Sequence, residues 1–148
     1  RSVSAFLLNR SSDLSLDTGK NILELFSDVT FYDYSKRPSA MHEAKMFKNY
    51  DVTFSYDGHN FDRCEKYLRQ GGKAAVVFYG KALPKKFAGY PVVDGNLYDM
   101  RYLDPKGCVI GLHYHVVAND FKVIDGKRKF VEPESEFVVK CTDSRCTM

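Results

Sequence analysis

Apolar residues in this chain keep two rhythms, and the alternation between them predicts its elements. Unbroken or two-step apolar runs mark strands, while repeats every three to four residues mark helices. "SAFLLN" opens as the first strand; after the polar loop "RSSDLSLD", the segment "TGKNILELFSD" sets Ile22, Leu23, Leu25 and Phe26 on one helical stripe. Asp17 or Thr18 can cap that helix, because a side-chain oxygen there accepts from the orphan amides of its first turn. "VTFYDY" follows as a strand rich in β-branched and aromatic residues. Pro38 suits a first helical turn, and Met41, Ala44, Lys45 and Phe47 continue at helical spacing before the strand "YDVTFSY". In "FDRCEKYLRQGG" Asn60 precedes a helix, Phe61, Cys64 and Leu68 share its face, and Gly71 with Gly72 supplies a left-handed stop. "KAAVVFYG" reads as a buried strand, residues 81–107 as a Pro/Gly-rich connection, and "CVIGLHYHVV" as a fifth strand.

This succession predicts an α/β fold: a mainly parallel sheet of about five strands in βα units, partial-barrel-like, over residues 1–117. Residues 118–148 form a small antiparallel C-terminal extension of the same domain. There "DGKRK" turns between "FKVI" and "KFVEP", followed by "EFVVK" and a loose end.

Composition narrows the class. The 148 residues suffice for one core, and 44% hydrophobic with 28% charged residues exclude disorder. The formal net charge of +3, read as evenly spread, gives nucleic acid no support as a partner. The longest apolar run, around residues 109–112, is far short of the ~20 residues a membrane-spanning helix requires. Four cysteines, Cys64, Cys108, Cys141 and Cys146, are too scattered for a disulfide framework, which points to a reducing compartment, the cytoplasm of a host cell. The opening "RSVSAFLLNRSS" lacks the apolar core and cleavage site of a signal peptide. It starts without Met, so the expectation is a fragment or processed product of something longer.

In parallel α/β folds, reactive groups gather on the loops that leave the C-terminal ends of strands. That rule selects Asn9 and Asp13 after strand one, Asp33 and Lys36 after strand two, Ser55, Asp57 and His59 after strand three, and His113 or His115 after strand five. Each has a plainer explanation. Asp13, Asp57 and Asn60 precede helices and can cap them. Asp33 with Lys36 can be a surface ion pair contributing roughly 0 to 1 kcal/mol. His113 and His115 face the same side of an extended run and can ligate a divalent metal, with Asp94, Asp99 or Asp104 as third ligand, or can simply be two rings near a sheet edge.

"VVDGNLYDMRYLDPKG" adds Asp99 and Arg101. Asp94-Gly95 and Asp104-Pro105 are turn-forming pairs, which leaves Asp99 and Arg101 without a turn role. The expectation is that Arg101 orients an anionic group with Asp99 holding it, or that the two clamp one loop to another. The catalytic candidates are therefore Asp33, Lys36 and Asp99; the ligand-binding candidates are Asn9, Asp13, Ser55, Asp57 and Arg101; the metal candidates are His113 and His115. "QGGK" is not a phosphate loop, because its glycines end a helix instead of opening one. Cys141 and Cys146 make half of a zinc site at most, and no hydrolase or Walker motif is present. Basic residues mixed with aromatics in "KALPKKF" and "KRKF" read as solvated loops.

The strings "LLNRSSDLSL", "ILELFSDVTFYDYSKRP", "YDVTFSYDGHNFDRCEKYLRQGGKAAVVF" and "LPKKFAGYPVVDGNLYDMRYLDPKGCVIGLHYH" carry a family resemblance. In this order, over about residues 5–115, they resemble the C-terminal half of a group of phage and mobile-element proteins. "FYDYSK" and "YDMRYLDP" are the most specific parts. The resemblance implies an α/β-barrel relative and supplies no substrate. It also implies an N-terminal half with a cysteine cluster of the radical-SAM-like kind, so an iron–sulfur cluster or SAM would come only with that half. None of the four cysteines here has the tight spacing of such a cluster. Two functions are then in view. One is the catalytic half of an enzyme acting on a small anionic or nucleotide-like substrate. The other is a non-enzymatic phage accessory, assembly or interaction module whose tyrosine-rich surface binds another protein.

Overall fold

The computed structural model describes residues 20–148 and the backbone of strand β1 (Ser2–Ser4). β1 pairs in parallel with β2 (Thr30–Ser35); the expected strand over residues 5–8, like Asp17 and Thr18, lies outside the described residues. Helix α1 (Ile22–Leu25) is a single turn. Asn21 caps it: its side chain accepts from the Glu24 amide, and the Glu24 carboxylate accepts from the Asn21 amide.

Helix α2 (Pro38–Met46), β3 (Tyr50–Ser55), α3 (Phe61–Arg69) and β4 (Lys73–Tyr79) follow, with β2, β3 and β4 parallel neighbours. Both glycines after α3 are used, for different reasons. The Gly71 amide donates to the Leu68 carbonyl from a left-handed φ of 83°, and the Gly72 amide donates to that of Tyr67, closing the helix end. Gly72 is needed for space, since a Cβ there would sit 2.5 Å from the Tyr67 ring.

The expected connection over residues 81–107 contains two more strands. β5 (Lys86–Phe87) is antiparallel to β6 (Tyr90–Asp94), and β6 lies parallel to β7 (Val109–His113), itself parallel to β4. Beyond these, β8 (Phe121–Ile124) and β9 (Lys127–Phe130) form a separate antiparallel ribbon. The end is not loose: β10 (Val138–Lys140) pairs in parallel with β4, and β11 (Cys146–Thr147) pairs with β5. The main sheet thus runs β1-β2-β3-β4-β7-β6-β5-β11, with β10 alongside β4. A mixed α/β architecture with a mostly parallel sheet and a small antiparallel ribbon agrees with the sequence, while the strand number exceeds five.

The two faces of the sheet are covered differently. On one, α3 packs Cys64, Tyr67 and Leu68 against Phe54, Ala74, Val76, Phe78 and Val109, and α2 closes a smaller cluster of Leu23, Phe31, Ala40, Tyr50 and Val52. Phe87 from β5 is fully buried, edge-on to Phe61 and Phe78 with ring centroids 5.5 Å away. Burying such a side chain contributes about 1.5–3 kcal/mol. On the other face no helix among the described residues lies over the strands. The crossover from β6 to β7, residues 95–107, runs over it as a strap with a short 3-10 turn at Arg101–Leu103. Gly95 abuts Ile110 and Leu112 of β7, the Lys73 ammonium of β4 donates to the Arg101 carbonyl, and Tyr102 meets Tyr32 of β2 at 5.7 Å.

The C-terminal segment is bolted to the core by Arg145. Its guanidinium lies over Phe87 at 4.8 Å and Phe61 at 5.7 Å, and it donates in a fork to the Asp143 carboxylate at 3.0 and 2.8 Å.

Candidate functional site

Strand direction places the C-terminal ends of β2, β3, β4, β6 and β7 on one rim. Asn9 and Asp13 lie outside the described residues. Asp33 sits mid-strand in β2 on the α2 face, half-buried, with one carboxylate oxygen buried and unpaired. Burial raises its carboxyl above the ordinary range, against the lowering effects of the Tyr34 amide and Arg37. Lys36 is exposed just past β2, so Arg37 is the cation whose field reaches Asp33. Burial and the nearby Asp33 and Glu43 carboxylates push the Tyr50 phenol up.

Ser55 ends β3, and its carbonyl accepts from the Asn60 side chain. Asp57 Oδ1 accepts from the amides of His59 and Asn60 at 3.0 Å, and Asn60 Oδ1 accepts from the Asp57 amide. These residues lock a turn ahead of α3, while Asn60 makes no side-chain bond to the helix amides. His59 pairs with Glu136.

His113 is the last residue of β7, and its amide donates to the Asn96 side chain. His115 lies two residues beyond the end of the strand and is exposed. Asp94 accepts from the Asn96 amide and side chain, which hold its carboxyl below the usual range in a turn. Among the described residues no group of three His, Cys, Asp or Glu side chains could hold a metal ion.

Beneath the strap, charges converge. Arg101 is fully buried; its Nε lies 3.3 Å from Asp104 Oδ2, and its Nη2 donates to the Tyr98 carbonyl. Tyr98 returns a bond to Asp104 at 2.8 Å. Next to this pair, buried Lys73 contacts Asp51 at 2.6 Å. The Arg101 partner is thus Asp104, while Asp99 is exposed on the strap. Arg101, Asp99 and Asp104 all act on Tyr34, whose phenol burial raises. Asp104 therefore has a role beyond its turn, and the signal was its i+3 spacing from an arginine followed by a tight turn. The buried Nη1 and Nε of Arg101 and Oδ2 of Asp104 lack aligned hydrogen bonds.

A cavity of about 480 Å³ opens at the other rim, where the strands begin. Its cause is register. β2 pairs with β3 from Tyr50 onward, whereas β4 joins β3 only at Thr53, so residues 50–52 stand without a β4 neighbour. The notch is lined by Lys45, Lys48, Lys73 and Lys106 and by Tyr50, Tyr67 and Tyr102. Asp51 is the one carboxylate among its lining residues, and Lys73 already pairs with it. Lys45 bonds Gln70 at 2.5 Å, bridging the C-terminal ends of α2 and α3, where cations offset the helix dipoles. Lys48 and Lys106 are exposed at the mouth. Such a cavity can hold an anion against ammonium groups and a flat moiety against phenol rings. The strand-exit rule did not reach these residues, because they precede strands or end helices; the detectable signal was Lys-rich chemistry at "AKMFKNYD" and "DPKG".

A family model described as gene product 88 matches residues 2–132. No curated protein and no solved structure matches the chain.

Proposed function

We propose that this chain, which belongs to the gene product 88 family, binds a small anionic, nucleotide-like molecule in the notch beside the start of β3. The observation that carries the reading is the charge of that cavity: four lysines against one carboxylate that is already paired. The Tyr102 and Tyr67 rings supply aromatic surface for a base-like group. Asp33, Lys36 and Asp99 as catalytic groups and Ser55, Asp57 and Arg101 as ligand-binding groups remain a separate proposal, because none of the six lines the notch. The succession β2, α2, β3, α3, β4 supports reading the sheet as βα units of a partial barrel. A phage accessory or interaction role is the second reading, favoured by the exposed apolar residues Val116, Val117 and Val123.

Inorganic tripolyphosphate and ATP test the proposal. Either raises the melting temperature of the protein progressively with concentration, as a ligand bound only by the folded state must. Lys48→Glu with Lys106→Glu abolishes the rise, and Lys66→Glu on the exposed side of α3 does not. Indifference of the unaltered protein to both anions, or an equal response in the double variant, overturns it.

A further inference from the structure

The β8–β9 ribbon is a small sheet separate from the main one. All eight of its strand residues are exposed, and its two strands pair only with each other. Asp125 and Gly126 turn it with φ of 53° and 71°, the pair of left-handed residues that the tightest hairpins require. Directly opposed residues of an antiparallel pair share a face. The register therefore puts Phe121, Val123, Arg128 and Phe130 on one side and Lys122, Ile124, Lys127 and Lys129 on the other.

The first side is the anchor. Phe130 stacks on Tyr79 at the end of β4 at 6.2 Å, Phe121 meets Phe130 at 5.8 Å, and Arg128 lies 4.7 Å above the Phe121 ring. Tyr114 and Asp120 lock the base through hydrogen bonds of 2.8 and 3.0 Å. The lysine side therefore points away from the sheet.

The charge ledger makes the ribbon distinctive. Residues 121–130 hold four cations and one carboxylate, an excess of three, which equals the formal net charge of the whole chain. Summed over the rest of the chain, acids and bases are equal in number. Asp125 reaches Lys129 at 3.4 Å in an exposed contact, and at the base Glu132 and Glu134 lie near Lys122, with Glu132 already paired to Lys140 at 2.7 Å.

We propose that this ribbon is a nucleic-acid-binding arm that sets Lys122, Lys127 and Lys129 against the phosphates of duplex DNA. A two-stranded ribbon fits the ~12 Å major groove, and dense phosphate charge complements a concentrated cationic face. The proposal is independent of the notch and of its ligand.

Fluorescence anisotropy with a labelled short DNA duplex reads the outcome directly. Three phosphate contacts release counterions such that affinity falls about fortyfold between 50 and 200 mM salt. Replacing Lys122, Lys127 and Lys129 together by Gln removes binding and leaves the melting temperature unchanged, while each single replacement flattens the salt dependence by about one third. Binding that survives the triple variant but is lost in the Lys48→Glu, Lys106→Glu variant overturns the proposal by placing DNA at the notch. Equal affinity for single-stranded DNA, or no binding at 50 mM salt, also overturns it, as does a salt-insensitive protein complex that the triple variant leaves intact.

Discussion

Arg101 shows how far burial can separate two neighbouring acids that look alike in sequence. Asp104 is the counter-charge of a fully buried guanidinium, and Asp99 is exposed one turn earlier on the same strap. Removing one partner of a buried pair leaves an uncompensated charge, a cost of about 3–5 kcal/mol. Asp104→Ala therefore lowers the unfolding free energy measured by urea denaturation by an amount of that order, whereas Asp99→Ala changes it by less than ~0.5 kcal/mol. Equal effects in the two variants would mean that the strap is not closed over Arg101. Asp33 supplies the pH counterpart. Burial raises its carboxyl in the folded state above the ordinary carboxylate range, so the folded chain holds the proton more tightly than the unfolded one. Stability from this group is complete below the unfolded value and is lost as pH rises through the folded one. Asp33→Asn is accordingly more stable than the parent at pH 7, and the advantage disappears near pH 3 in paired denaturation curves.

At the scale of elements, the parts legible in the sequence were those whose pattern reports burial locally. α3 and β4 were marked by a clean apolar face, a glycine stop and an unbroken apolar run, and the "DG" hairpin by its turn residues. β5, β6, β10 and β11 were not, or not as members of the main sheet, because two- to five-residue strands earn their place through partners far along the chain. β5 is held by burial of Phe87 under the rings of Tyr56, Phe61 and Phe78, and β11 by Arg145 upon that same Phe87. The site divides in the same way. Charged residues could be read near strand ends, and Arg101 with Asp104 was visible as an i,i+3 pair, but Lys73 with Asp51 becomes a pair only once β4 lies beside β3. The notch was hidden because it depends on a three-residue difference between two registers, which no single segment encodes.

At the scale of the whole molecule, β4 is the spine. β7 flanks its length on one side; on the other, β3 covers residues 73–75 and β10 covers residues 77–79. The C-terminal segment is thus structural, and deleting residues 138–148 leaves the upper half of β4 without a neighbour and uncovers Phe87. The shortened chain loses its single cooperative urea transition, while replacing residues 121–130 by a short Gly/Ser linker preserves it. A cooperative transition in the first variant would show that β10 and β11 are ornamental. The same arrangement bears on how the protein is made. Val77 must wait for Val138, so at ribosomal speeds of about 5–20 residues per second one flank of the newborn spine stays open for roughly 3–12 s. During that interval an identical nascent chain can occupy the vacancy meant for the protein's own tail, which makes sparse initiation with fast elongation the natural remedy for misassembly.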